Sequence, residues 1–503
     1  MLSNLFQSKA KYVVFGFTGL FLMFVGLVLG RIVSIGDVRF GILFFGSIFG
    51  VVLLGMPNTI VWLCIVTTYL ICGPIVYNIP GLDSVWWGAY VLGGILFIPA
   101  FFQLITSGNT SRINMGIGMP IFLFAMLFVM TALLNWIPPM QLLVSVKVWL
   151  LLAGVFVYLT MVHLDEKTVF FWLKVIFGIA LIQIIPVLYQ SFFVKASLVA
   201  LGASTSSADT VVGTFGGSPT SGGMTGALAA FLVFNLMMFL AFVRYKVIQK
   251  RVWLYLTLLV LPMLFIEVKA LFIYLPVALF VLYKDLVIKN PMRFLKLSFM
   301  GAAAMLVMLL VYQAYHWSNK GGDMSQNMMK MFAYSFQSEV GNAKQEEGVM
   351  TRVEVLTFWW DKQTAINPIP ILFGHGPSAS KTGGLEKGTV AQKYVPRDID
   401  RTGLALILWD FGIFGLLLIS WLFWRLFRLA GRLVSILQSE HLKAMAHGLQ
   451  TIVPLFFLAI LYRNDLPYAP PMMLSFMITM GLLAWLSKVA AEQYSRPIPG
   501  STR

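Results

Sequence analysis

Residues 403–424 read GLALILWDFGIFGLLLISWLFW, an apolar run with one charge, Asp410, and no proline. As a helix it spans about 33 Å, enough to cross a hydrocarbon core of roughly 30 Å. A barrel strand is excluded, since such strands are about ten residues long and alternate in polarity. The run decides the fold because comparable ones recur at 12–30, 39–55, 59–75, 87–105, 119–136, 147–163, 169–190, 223–243, 252–267, 269–284, 296–315, 447–463 and 470–487. Those at 39–55, 252–267 and 269–284 are short. The expected fold is therefore all-α, a polytopic integral membrane helix bundle of about 12–14 transmembrane helices.

Composition leads to the same class. The 503 residues are 59 % hydrophobic and 11 % charged, with a mean hydropathy of +0.85. That leaves too few polar side chains to coat a soluble globule. The first run ends in Leu29-Gly30-Arg31, which lacks a small-x-small cleavage pattern, so it reads as a retained helix.

One long stretch departs from this pattern. From about Tyr315 to Thr402 the chain is polar and carries Arg352, His375, Arg397 and Arg401. Three segments are expected: transmembrane helices over 1–314, including a Gly-rich outer loop at 191–222; a large loop with helices of its own over 315–402; and transmembrane helices plus a tail over 403–503. Lysines and arginines in the short loops set the orientation. With the N-terminus inside, cytoplasmic segments collect about 19 of them and short outer loops about six, which places both termini in the cytoplasm and the long loop outside. The net charge of +16 sits largely in those membrane-flanking clusters, so the partner it implies is anionic membrane lipid and not nucleic acid. The basic stretch Arg425 to Lys443 reads as a helix lying on the membrane surface.

Cys64 and Cys72 fall on one helix, roughly 12 Å apart along its axis, and cannot bond to each other. No Cys/His group has zinc spacing, so neither a metal nor a cofactor is expected.

The 191–222 loop contains Gly213-Thr214-Phe215-Gly216-Gly217-Ser218-Pro219. Its glycines would let a ligand approach the backbone, and bare N–H groups ahead of a helix starting near Thr225 would suit a phosphate; a ligand-free connector is the other possibility. In the long loop, 323–340 is rich in Met and aromatic residues and suits a surface helix. A second helix is expected over 349–365, carrying Arg352 and Glu354, with Trp359 and Trp360 as interfacial anchors. A Pro/Gly turn follows at Asn367-Pro368-Ile369-Pro370-Ile371-Leu372-Phe373-Gly374-His375-Gly376-Pro377. The stretch from Gly374 to Thr382 has a P-loop outline but fails as one, because Ser380 stands where glycine must precede the lysine and no strand comes before it.

Taken in order, a Gly-Thr-Phe-Gly loop before a helix, a charged residue at a tight bend, an Arg-bearing loop helix, a Gly-x-Gly-Pro turn and the helix containing Asp410-Phe411-Gly412-Ile413-Phe414-Gly415 resemble the O-antigen ligase and O-antigen polymerase superfamily. The resemblance covers roughly 210–420. It implies an enzyme of the bacterial inner membrane that takes a polyprenyl-pyrophosphate-linked glycan donor and a glycan acceptor and works alongside other polysaccharide assembly proteins. Arg352 falls at the family's arginine before the turn, and Lys269 where the family usually has an arginine. Arg401-Thr402 stands where ligases carry histidine and asparagine, and Val211-Val212 where an arginine is common.

The resemblance further implies metal-independent, inverting glycosyl transfer, with Lys269, Arg352 and Arg401 holding the pyrophosphate. Because an arginine cannot readily act as a base, Asp398, Asp400 and His375 are the expected proton acceptors. Gly213, Thr214, Arg397 and Arg463 would bind substrate. Plainer roles stand beside these: Arg352 and Arg401 as partners of Glu354 or Asp400, Lys269 as partner of Glu267, His375 as a solvated loop residue, and Asp410 as a buried hydrogen-bond partner. Polymerase is preferred to ligase on the missing histidine and the large loop. A lipid-linked glycan flippase is a further alternative, disfavoured because no internal repeat is found and the distinguishing charges crowd one face.

Overall fold

The computed structural model describes residues 53–79, 81–106, 115–200, 210–218, 222–266, 268, 270–290, 292, 295, 296, 299, 348, 350–364, 368–383 and 387–495. Lys269, Glu267, the surface helix expected at 323–340 and the runs at 12–30, 39–55 (except 53–55) and 296–315 (except 296 and 299) lie outside the described residues. The chain divides into two compact units, Met1–Ile60 and Val61–Arg503. All that follows concerns the second.

The protein is an all-α, multi-pass membrane protein. Among the described residues nine helices are long and apolar enough to cross a bilayer. They are α1 (Pro57–Asn78), α2 (Asp83–Thr106), α3 (Met115–Leu134), α4 (Pro139–Met161), α5 (Glu166–Val194), α6 (Thr225–Arg244) and, after the long loop, α12 (Gly403–Ile436), α13 (Glu440–Tyr462) and α15 (Pro470–Ser495). Between them, α7 (Val252–Phe265) and α8 (Leu271–Lys289) match the two short runs expected there. The loop contributes α9 (Glu354–Thr364), α10 (Pro368–Phe373) and α11 (Thr389–Lys393), and α14 (Asp465–Tyr468) joins α13 to α15.

Burial separates centre from rim. The apolar windows of α6 and α15 are 83 % buried and that of α13 78 %, whereas those of α2 and α3 are 28 % buried and present apolar side chains such as Phe101, Phe122 and Leu133 outward. Outward apolar residues are what a helix in lipid requires, and the central position of α6 follows from its small and apolar residues all round.

Two expectations are corrected here. The basic residues Arg425, Arg428 and Arg432 do not form a surface-lying helix. They continue α12, and the chain turns only at Leu437. Nor is 315–402 a separate body. Its described part shares one core with α12, in which Met350, Val355, Phe358, Trp359, Val390 and Ile399 pack with Leu408 and Trp409. Trp359, expected as an interfacial anchor, is therefore interior, and Trp360 alone of the pair is exposed.

Gly412 explains how the loop enters the bundle. It interrupts α12 with φ 64° and ψ −162°, a conformation favourable only to glycine. The break frees carbonyls of the preceding turn, and the loop supplies donors: His375 N–H bonds to Trp409 O at 2.8 Å and Gly376 N–H to Asp410 O at 3.0 Å. A Cβ on Gly412 would meet the Leu372 carbonyl carbon at 2.4 Å, and one on Gly374 that of Asp410 at 2.3 Å. Two glycines thus let α10 and α12 touch backbone to backbone.

Candidate functional site

The site is organised by four consecutive residues at the end of α13, Tyr462-Arg463-Asn464-Asp465. The Arg352 side chain donates Nε–H to Tyr462 O at 2.9 Å and lies 3.9 Å over the Tyr462 ring. A guanidinium at a helix C-terminus is favoured by the exposed carbonyls there. Gly403 N–H bonds to Arg463 O at 2.9 Å, and Asn464 donates to Asp400 O at 2.8 Å. Arg463 pairs with Asp465 at 2.7 Å. One helix end thereby gathers Arg352, Arg463 and the segment Asp398 to Gly403, which carries Arg401.

Local sequence places each arm. Thr351 and Glu354 form a capping box, Glu354 N–H to Thr351 Oγ1 at 3.0 Å and Thr351 N–H to Glu354 Oε2 at 3.1 Å. Glu354 is thus committed to the backbone, and Arg352 sits in the turn ahead of α9, not within the helix expected at 349–365. At the other arm Thr402 caps α12 through Oγ1, 3.1 Å from Ala405 N. Arg401, just before it, faces Asp398 at 3.6 Å, with both side chains about two-fifths exposed (39 % and 40 %). An exposed pair of that length contributes little to stability and stays open to a ligand.

The three expected proton acceptors differ sharply. Burial raises the Asp398 carboxyl above its ordinary range, opposed by Arg401 and Lys387. Asp400 is raised too, chiefly by burial, but it is 4 % exposed and accepts both the amide (3.1 Å) and the hydroxyl (2.5 Å) of Thr382. Burial, with help from Lys393, lowers His375 to about 4, so it is neutral at pH 7. Its Nε2 meets the Gln363 amide nitrogen at 2.7 Å, and because that nitrogen is a donor, Nε2 accepts. His375 is neither a solvated loop residue nor an available base. Asp398 is the acceptor that a substrate hydroxyl can reach.

Below the site the loop is held by carboxylates. Asp410 accepts Ser378 N–H at 2.7 Å and Ser380 N–H at 2.9 Å, as a buried hydrogen-bond partner should. With Thr382, alternate amides of this segment serve Asp410 and Asp400, so the donors that a P-loop would offer a phosphate are taken by the protein itself. From α4, Gln141 and Ser145 both donate to Pro377 O at 2.9 Å, and Gln141 Oε1 receives Thr389 N–H. Arg397 is exposed and lies 4.8 Å over Phe358, on the aromatic cluster that also meets His375 through Trp409.

The expectation of bare amides at Gly213 and Thr214 is overturned. Gln190 Oε1 accepts Val212 N–H (2.8 Å) and Gly213 N–H (2.7 Å), and Gln183 Oε1 accepts Thr214 N–H at 2.9 Å. Thr214 is 6 % exposed, and the backbone of this loop presses on Gly73 in α1. The motif braces α1 against α5. The helix start at Thr225 is where expected, but its first turn already has an anion: a Cβ on Gly226 would meet Asp465 Oδ2 at 2.1 Å. Residues missed from the sequence include Gln183 and Gln190, whose partners lie more than 20 positions away, and Lys147 and Lys381.

No protein-family model matches the chain, and no curated protein matches it.

Proposed function

We propose that the chain is a membrane glycosyltransferase that joins polyprenyl-pyrophosphate-linked oligosaccharide repeat units into an exopolysaccharide, capsule or O-antigen. The work takes place at the outer face of the bacterial inner membrane, with both termini in the cytoplasm. What supports it most is the convergence of Arg352, Arg401 and Arg463 around one helix end beside the half-exposed carboxylate of Asp398.

In a single inverting step, the acceptor hydroxyl attacks the anomeric carbon of the donor sugar from the face opposite the pyrophosphate. The new C–O bond forms as the C1–O–P bond breaks, and the electron pair leaves with the pyrophosphate. Arginines placed around the leaving group stabilise the developing charge in the way a metal would, so the step needs none. The hydroxyl proton passes to Asp398, whose raised basicity suits the task. The sequence order that resembles the ligase and polymerase superfamily supports the same chemistry. Arg401, standing where a ligase carries histidine, favours a polymerase.

The direct test reconstitutes the purified chain in liposomes with the lipid-linked repeat-unit fraction of its host. A ladder of carrier-linked oligomers is expected. If the fraction stays unchanged while host membranes elongate it, the polymerase reading fails.

A further inference from the structure

Away from the arginines, two lysines form a feature that the mechanism does not use. Lys147 lies eight positions into α4, and its Nζ sits 4.6 Å over the Trp87 ring and 5.1 Å over that of Tyr90, both on α2. At Lys147 the helix widens into a π-helical turn, Lys147–Leu151, an irregularity frequent at functional sites. Lys381 comes from the loop that Gln141 and Ser145 pin to the same helix through Pro377. Its own position is held by Lys381 N–H to Ser378 O and by Gly388 N–H to Lys381 O, at 3.3 and 2.8 Å.

The two ammonium groups are close enough to repel each other, and burial lowers Lys381 below its usual range. Among the described residues neither makes an ion pair, although Asp83 and Asp400 lie in the wider field. Two part-buried cations of like sign, brought together without a bonded carboxylate, are unfavourable unless an anion joins them. An ionisable side chain set into a membrane helix is moreover a functional feature by default. The neighbouring indole and phenol rings offer flat faces to whatever the anion carries.

We propose that Lys147 and Lys381, with Trp87 and Tyr90 beside them, form a phosphate-binding site separate from the arginine cluster. It rests on the polymerase reading only for whose phosphate is held: a growing chain on its carrier would need a seat distinct from that of the incoming unit, and two phosphate sites would provide both.

The test uses the purified full-length chain in phosphatidylcholine nanodiscs, with farnesyl pyrophosphate and inorganic pyrophosphate as probes, read by calorimetric binding and thermal unfolding. Wild type is expected to bind, K147Q and K381Q to bind at least tenfold more weakly, and K147R to keep most of the affinity. Without probe, both glutamine variants should unfold at the wild-type temperature or above it, because the repulsion is gone. Binding of farnesyl pyrophosphate alone identifies a lipid-borne phosphate, and binding of both probes a site open to soluble phosphate as well; either supports the proposal. Unchanged affinity in K147Q and K381Q overturns it, as does wild type binding neither probe. If binding is lost in R352A but kept in K147Q and K381Q, this site fails while the polymerase reading stands.

Discussion

The Asp410 carboxylate accepts the Ser378 amide at 2.7 Å across 32 residues of sequence, and this contact fastens the loop of the site to the helix beneath it. Ser380 adds a second bond at 2.9 Å. In D410A two buried N–H groups lose their acceptor, at about 1–3 kcal/mol each. D410N keeps one acceptor oxygen and turns an NH2 group toward the other donor. We expect D410A to unfold at lower temperature than D410N, and D410N lower than wild type. In both, limited proteolysis should cut first within 374–402. Equal protease resistance in all three would show that Asp410 is not the fastening.

Arg352 combines a hydrogen bond to Tyr462 O with stacking on the Tyr462 ring. Lysine keeps the charge but lacks the planar fork. Removing one preorganised charge donor from a leaving group typically lowers turnover about 10²–10³-fold. R352A is expected to fall in that range, and R352K to recover only part of the loss. Y462F should retain wild-type elongation, since both the carbonyl and the ring remain. Elongation by R352A at the wild-type rate would remove the arginine from the mechanism.

Asp398 governs the expected pH dependence. Its carboxyl is raised above the ordinary carboxylate range by burial, and it accepts a proton only when ionised. Elongation should therefore decline as pH falls through that raised value and level off above it. D398N should be nearly inactive and should lose the acidic limb. D400N, by contrast, disturbs the Thr382 turn and should alter stability more than the shape of the profile. An unchanged acidic limb in D398N would assign the proton elsewhere.

Legibility in the sequence followed the range of the forces involved. Helix positions could be read directly, because each depends on its own apolar run: the start expected near Thr225 is the observed start of α6. Asp410 could be read as a buried acceptor, since a charge inside an apolar helix has few other fates. The capping box Thr351-x-x-Glu354 was present as a local pattern and explains why Glu354 is not the partner of Arg352. Gly213 and Thr214 misled because their amides look bare in sequence, while the acceptors come from Gln183 and Gln190 on another element. Lys147 read only as a helix flank. What distinguishes it, Trp87, Tyr90 and Lys381, arrives through tertiary packing, to which periodicity is blind.

The central claim is tested most directly by analysing lipid-linked glycan in host cells that lack this protein, complemented with wild type or with R352A. The expected result is an accumulation of single repeat units on the polyprenyl carrier, cleared by wild type and not by R352A. Long carrier-linked polymer that never reaches its final acceptor would contradict this in favour of a ligase, and repeat units trapped on the cytoplasmic side in favour of a flippase. An unchanged glycan profile would contradict all three.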